Sequence, residues 1–224
     1  MSKQIFAMKE MCKVRILYKR SVKSVMSEKE LLAKLQHPFL VNMVYAFQDC
    51  ENLYLVSDML SGGDLRFHME QRGKDLFTER ESKFLIACLI IGLEYMHKQN
   101  VIHRDIKPEN LVLDEKGYLR VTDLGIAKEL RPENSSDTSG TPGYMAPEVL
   151  ARKDHGMAVD YFAAGVIAYE LMLGERPYVG KSREEIRELV CAKQVQIRRE
   201  QVPVGWSLEA ADFINRCLLR KPKQ

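Results

Sequence analysis

Long apolar runs are missing from this 224-residue chain. A bilayer-spanning helix needs about 20 consecutive apolar residues, so none is expected here, and no secretory leader pattern opens the sequence. Cysteine is scarce and poorly spaced for pairing or metal binding. The five (Cys12, Cys50, Cys88, Cys191, Cys217) are odd in number and include no Cys-x-x-Cys, which argues against a disulfide framework and against zinc. Cys88 and Cys217 stand among apolar residues and are expected to be buried. Charge of one sign is also lacking. Lys and Arg number 34 against 31 Asp and Glu, a net +3, too small to point to nucleic acid or to a membrane surface. Repeats and low-complexity segments are absent, and the single Trp206 is expected to be structural. What remains is an ordinary globular composition, 46% hydrophobic, long enough for one large core or two small ones. The expectation is a soluble, monomeric protein of a reducing intracellular compartment, most simply the cytoplasm.

The informative stretch is His103-Arg104-Asp105-Ile106-Lys107-Pro108-Glu109-Asn110. It sets a carboxylate, an ammonium and a carboxamide close together in a polar loop between Val101-Ile102 and Leu111-Val112-Leu113. Asp123-Leu124-Gly125 follows, a second carboxylate on a glycine turn. Phosphoryl transfer needs these groups. One acid orients a hydroxyl and accepts its proton, a second acid and an amide oxygen hold Mg²⁺, and a cation neutralises spreading charge. The two motifs in succession are highly specific.

Together with Phe39-Leu40-Val41, Gly62-Gly63-Asp64-Leu65 and Gly140-Thr141-Pro142-Gly143-Tyr144-Met145-Ala146-Pro147-Glu148, these motifs make the chain resemble a eukaryotic protein kinase. Within that superfamily it is similar to the AGC group, and there to YANK-type and cyclic-nucleotide-dependent kinases. The resemblance implies an α+β bilobal fold, with a small β-rich lobe over residues 1–60 and a larger helical lobe over 61–224. It implies ATP and Mg²⁺ as cofactors and serine or threonine hydroxyls of proteins as acceptors. Asp105 and Lys107 take catalytic roles, and Asn110 and Asp123 the metal. Lys9 ends the strand Ile5-Phe6-Ala7-Met8-Lys9. Alone, a lysine there is usually just solvated, but the resemblance puts it on the nucleotide phosphates. Glu28 is its partner from a helix over 22–35, where Leu32 leaves it no i+4 cation. Ala7, Asp58, Leu60, Asp64, Glu109 and Val112 line the nucleotide pocket by the same resemblance, with Ser57 at its small-residue gate. Thr141 and the position of Lys107 favour Ser/Thr over Tyr. Asp64, Glu109 and Glu170 match acids that bind arginines ahead of the target residue. An acid inside the apolar run at 160–173 also needs a cation for physical reasons alone, so a structural salt bridge for Glu170 stays open. Arg104 is a regulatory cation that would meet a negative group. Asp137 stands where that phosphoacceptor is expected, with Thr138 and Ser139 as nearby candidates for phosphorylation.

Elements follow from periodicity. Strands are expected over 40–47, 52–56 and 118–122, and helices over 79–98 and 207–219, the last capped by Ser207. Another helix is expected over 160–173, with Asp160 capping its start. The polar stretch 129–139 reads as a loop. An internal spine is expected through Met43, Leu32, Leu124 and His103. No Gly-x-Gly-x-x-Gly occurs, and only four residues precede Ile5. Within this sequence the first strand is therefore expected to be a sheet edge, and nucleotide binding to be weakened. At the other end Glu148 lacks the arginine that the family pairs with it. Two readings stand at this point: an active Ser/Thr kinase with a preference for basic sequence contexts, or a kinase-like interaction module with negligible transfer.

Overall fold

The computed structural model describes residues 4–73, 75–130 and 138–221. The chain opens with β1 (Phe6–Cys12), α1 (Lys13–Tyr18) and α2 (Val22–Lys34), followed by the hairpin strands β2 (Met43–Gln48) and β3 (Asn52–Asp58). These strands form one antiparallel sheet in the order β1-β3-β2. Among the described residues β1 pairs with β3 alone, and its ladder runs unbroken from Phe6 opposite Asp58 to Cys12 opposite Asn52. Lys9 therefore sits in mid-strand, opposite Leu55, and not at the strand's end. The ladder continues because β3 is long enough to pair with all of it, and the Asn52 amide holds Glu10 at 2.8 Å. β2 starts at Met43, not at 40. The Asn42 side chain turns the backbone just before it by bonding His37, Leu40 and Asp58. Leu40, only 2% exposed, instead bridges Val121. The short α1 has no sequence signature, since it buries Ile16 alone and shows no apolar period.

The remainder is mainly helical. α3 (Leu65–Arg72) and the long α4 (Glu79–Lys98) lead to the small strands β4 (Val101–Ile102), β5 (Leu111–Leu113), β6 (Leu119–Val121) and β7 (Lys128–Glu129). These pair as β4-β7 and β5-β6. α5 (Pro147–Leu150), α6 (Ala158–Leu173), α7 (Arg183–Ala192) and α8 (Leu208–Cys217) complete the order. α4 starts where the sequence provides a capping box: Thr78 accepts from the Glu81 amide and Glu81 reaches back to Thr78. The Arg72 guanidinium forks onto the same Glu81, at 3.0 and 2.6 Å, and pins the end of α3 to the start of α4. That hydrogen bond from Arg72, with those from Thr78, pulls the Glu81 carboxyl down to about 2. α8 is capped by Ser207, whose hydroxyl accepts from Ala210. The amphipathic α7, rich in Glu and Arg, buries only Val190.

α6 is the axis of the helical part. Twelve of its 16 residues are buried, and α4 and α8 pack on it. It ends on Gly174, whose φ of +76° is left-handed and whose added Cβ would meet Leu76 at 2.8 Å. The helix starts at Ala158, so Asp160 does not cap it and instead lies within its first turn, 1% exposed. Its carboxylate points out of the helix toward the 103–104 backbone. Oδ2 accepts from the His103 amide and the His97 ring, both at 2.9 Å, and Oδ1 accepts from the Arg104 amide at 2.8 Å. A buried acid can persist when it is this fully hydrogen-bonded. No helix among the described residues is long and apolar enough to cross a membrane.

Replacing Asp160 by Ala strands two backbone amides and a ring nitrogen in the core. Each unsatisfied buried donor costs about 1–3 kcal/mol, so D160A is expected to lose about 3 kcal/mol or more of unfolding free energy in a urea titration. A loss under 1 kcal/mol would mean that water replaces the carboxylate.

Candidate active site

Two backbone strains and one clamp shape the site. Arg104 and Asp123 hold φ values of +70° and +61°, left-handed conformations that disfavour side chains other than glycine. The Asp160 bonds to the 103 and 104 amides hold the first of these in place. The His103 ring, fully buried, links the loop to the next strand: one nitrogen bonds the Thr122 carbonyl at 3.0 Å and the other accepts from the Asp105 amide at 3.2 Å. Asp105 is thereby presented at the end of β4.

The Asp105 carboxylate gathers three side chains. Lys107 Nζ donates to Oδ2 at 2.7 Å, Asn110 Nδ2 to the same oxygen at 3.2 Å, and Thr141 Oγ1 to Oδ1 at 2.7 Å. Lys107 also donates to Thr141 at 3.1 Å. Thr141 reaches this loop because Gly140, at φ +133°, passes so near the Arg104 carbonyl that a Cβ would sit 2.9 Å from it. Burial pushes the Asp105 carboxyl up. The hydrogen bonds from Lys107 and Thr141, with the nearby positive charge, outweigh it and hold the group below the usual carboxylate range. It therefore stands ionised at neutral pH, ready to orient a hydroxyl and accept a proton.

Asn110 spends its amide nitrogen on Asp105, donating also to the backbone oxygen at 2.9 Å. Among the described residues no donor meets its Oδ1. The Asp123 carboxylate is exposed and, among the described residues, accepts only from the Gly125 amide, at 3.1 Å. An amide oxygen and a carboxylate with unused lone pairs are the hard donors that Mg²⁺ takes while it keeps water and phosphate ligands. No group of three His, Cys, Asp or Glu among the described residues could hold a metal by itself, so these donors suit an ion that arrives with phosphates. Leu124 is 3% exposed and belongs to the main core, with Leu32 packed against it. Met43 is only half-buried and lies outside that cluster.

On the sheet side, Lys9 Nζ meets Glu28 Oε1 at 2.7 Å, with side-chain exposures of 53% and 9%. The helix supplies the buried acid and the strand a cation with one side open, so the ammonium can serve a second anion. Ser24 of α2 donates to the Gly125 carbonyl at 3.0 Å, tying that helix to the Asp123 turn. Ala7 pairs with Ser57 across the sheet. Asp58 turns its carboxylate to Asn42 and Arg120, at 2.9 and 3.2 Å. Among the described residues the Leu60 amide makes no hydrogen bond, which leaves it for a ligand. Val112 of β5 bridges Asp64, and Asp64 is occupied as the cap of α3, accepting from Phe67 at 2.8 Å.

Other sequence-derived residues lie elsewhere. Glu109 sits on the 3₁₀ turn Pro108–Asn110, and Glu170 on α6. Both meet Arg66, which no sequence pattern singles out apart from the need of Glu170 for a cation. Arg104 donates from Nε to the Ile126 carbonyl at 2.8 Å. Asp137 lies outside the described residues, while Thr138 is exposed and Ser139 half-buried beside Gly140. Burial raises the Glu148 carboxyl above its usual range. It also pushes the half-buried Cys217 thiol up to about 11, while Cys88 is 3% exposed.

A strained loop that presents an ionised acid between a lysine and a threonine, next to hard-metal donors, has the groups that phosphoryl transfer needs. The chain belongs to the protein kinase family, whose domain pattern matches residues 1–224, and its relatives are AGC-type serine/threonine kinases. It is 37% identical over 223 residues to a probable serine/threonine-protein kinase of Dictyostelium discoideum, covering 99% of this chain and 47% of that protein. It is 36% identical over 213 residues to the cAMP-dependent protein kinase catalytic subunit of the same organism, covering 95% and 32%. With the human RAC-beta serine/threonine-protein kinase it shares 37% over 221 residues, covering 98% and 44%. The chain thus spans about a third to a half of the length of these curated relatives.

The Asp105 network sets the sign of a pH effect. A carboxyl whose folded value lies below its unfolded one contributes stability above the unfolded value, and that contribution is lost as pH falls through the folded one. Thr141→Ala removes one of the bonds that lower it. The acid limb of any turnover is then expected to move to higher pH, toward the ordinary aspartate value of about 4. A pH profile of kcat comparing T141A with the parent checks this, and an unmoved limb would mean that Thr141 does not bear on the Asp105 proton.

Proposed function

We propose that this chain carries an ATP- and Mg²⁺-dependent protein serine/threonine kinase activity. The observation that supports it most is the Asp105 carboxylate, bonded at once by Lys107, Thr141 and Asn110. Bound MgATP supplies the phosphoryl group, and its metal offsets phosphate charge. Asn110 and Asp123 would hold that metal, and Lys9, braced by Glu28, would hold phosphate oxygens. The Leu60 amide and the Asp58 backbone would bind the adenine edge, and Ala7 and Val112 would line its pocket. Asp105 orients the acceptor hydroxyl and takes its proton as that oxygen attacks. Lys107, released from its rest contact with Asp105, follows the charge on the transferred group.

The lobes of this reading divide near residue 60, with the strands β1–β3 and α2 on one side and the catalytic loop on the other. Thr141 in contact with Asp105 supports a serine or threonine acceptor over the longer tyrosine. The carboxylate of Glu109, 47% exposed beside the catalytic loop, supports a preference for a basic residue near the target. Arg104 is the cation that a negative group at 137–139 would meet. We place the action inside the cell, on protein substrates and by a monomer. The five free cysteines support a reducing compartment.

The test is transfer of labelled γ-phosphate to serine and threonine peptides. Asp105→Asn is expected to lower kcat by roughly 10²–10⁴, the usual contribution of such a group, and Asp123→Asn to abolish transfer while the fold survives. If no MgATP concentration gives transfer, the chain acts as a docking module and not as an enzyme.

A further inference from the structure

The acidic cluster beside the catalytic loop is already filled from within the chain. Arg66, on α3, sends its guanidinium between two carboxylates that come from different elements. Nη1 meets Glu170 Oε1 at 2.8 Å and Nη2 meets Glu170 Oε2 at 3.3 Å, a two-pronged contact with the acid of α6. Nε meets Glu109 Oε1 at 3.4 Å. The Tyr144 hydroxyl accepts from Nη2 and donates to Glu170 Oε2 at 2.9 Å. All three guanidinium nitrogens are engaged. The Glu170 and Tyr144 side chains are nearly closed off, at 8% and 4% exposure, and Arg66 stands at 23%. Burial pulls the Arg66 guanidinium down, but Glu170 and the neighbouring negative groups more than offset it and keep it charged.

This is a recognition site for a guanidinium: planar fork against carboxylate, a hydroxyl in line, and a second acid at the edge. It lies four residues along the chain from Asp105 at its Glu109 corner and three from Thr141 at its Tyr144 corner, beside the acid that orients the acceptor hydroxyl in the kinase reading. A substrate arginine could enter it only by displacing Arg66. That would break a partly buried two-pronged pair and leave Arg66 half-buried without a carboxylate, so the exchange gains little. Two acids against one cation leave the cluster one negative charge, and Glu109, the exposed member, carries it outward.

We propose that Arg66 is a specificity-determining residue, an internal guanidinium seated in the cation subsite of Glu170, Tyr144 and Glu109 that a substrate arginine would otherwise fill. The inference rests on the kinase reading above for the identity of the substrate, and narrows it. One basic residue is read, through the outer face of Glu109, and a second arginine gains nothing. Replacing Arg66 opens the second subsite.

The experiment compares the full chain with its Arg66→Ala variant, using serine peptides that carry no, one or two arginines, the arginines being scanned position by position around the target. Peptide binding by calorimetry and transfer by kcat/KM are read separately. For the parent, two arginines are expected to bind within about twofold of the better single-arginine peptide. For R66A, a second arginine is expected to tighten binding roughly tenfold, the worth of one charged pair of about 1.4 kcal/mol. N-acetyl-arginine amide is expected to raise the melting temperature of R66A and not that of the parent, and adding Glu170→Gln to R66A removes both gains. A parent chain that already binds the two-arginine peptide tenfold tighter overturns the proposal, as does an R66A chain that responds to neither ligand. Should R66A not fold, the parent's peptide series decides by itself. If no peptide is phosphorylated at all, the kinase reading falls, while the binding series still decides whether Arg66 fills the subsite.

Discussion

One buried carboxylate holds the catalytic loop in shape. Asp160, in the first turn of the most buried helix, accepts from the amides of His103 and Arg104 and from the His97 ring. A left-handed arginine backbone is unfavourable by itself, and a loop that contains one keeps its form only if its amides are fixed from outside. The helix that supplies the clamp is apolar nearly all round, so its own position is set by packing against α4 and α8. Core packing is thus transmitted through one acid to the atoms that would do the chemistry. Asp105, Lys107, Asn110 and Thr141 then arrange themselves by short hydrogen bonds around that frame.

Internal cations recur as a second theme. Lys9 with Glu28, and Arg66 with Glu170, each pair a more exposed base, at 53% and 23%, with an acid under 10% exposed. In both, burial makes the acid depend on its partner, and the partner keeps an open side. The consequences differ with the chemistry of the base. The Lys9 ammonium is a compact point charge on a sheet strand and can turn to another anion. The Arg66 guanidinium is a rigid fork with every nitrogen taken, which makes it an occupant of its site more than a mobile donor.

The chemistry-bearing residues were legible because they sit within a few positions of one another. The string from His103 to Asn110 and the turn at Asp123 announce their groups in order, and the α4 capping box and the Ser207 cap are equally local. What escaped notice was either weakly patterned or long-range. α1 buries Ile16 alone and carries almost no apolar period, while α7 is amphipathic but short, dominated by Glu and Arg, and buries Val190 alone. The start of β2 moved because Asn42 bonds a turn. Lys9 is a mid-strand residue because the ladder runs on past it, with Glu10, Met11 and Cys12 paired to Tyr54, Leu53 and Asn52.

By itself the sequence determined the family, the groups available for phosphoryl transfer and the elements that carry them, because each depends on residues close in the chain. Only the tertiary structure decided what the buried acids do. Asp160 has the composition of a helix cap and acts as a clamp on a loop 56 residues away. Glu170 looks like a reader of substrate arginine, yet it holds an arginine of its own chain, 104 residues earlier. A carboxylate's partner is chosen by which donor the packing brings within hydrogen-bond reach, and no local pattern encodes that distance.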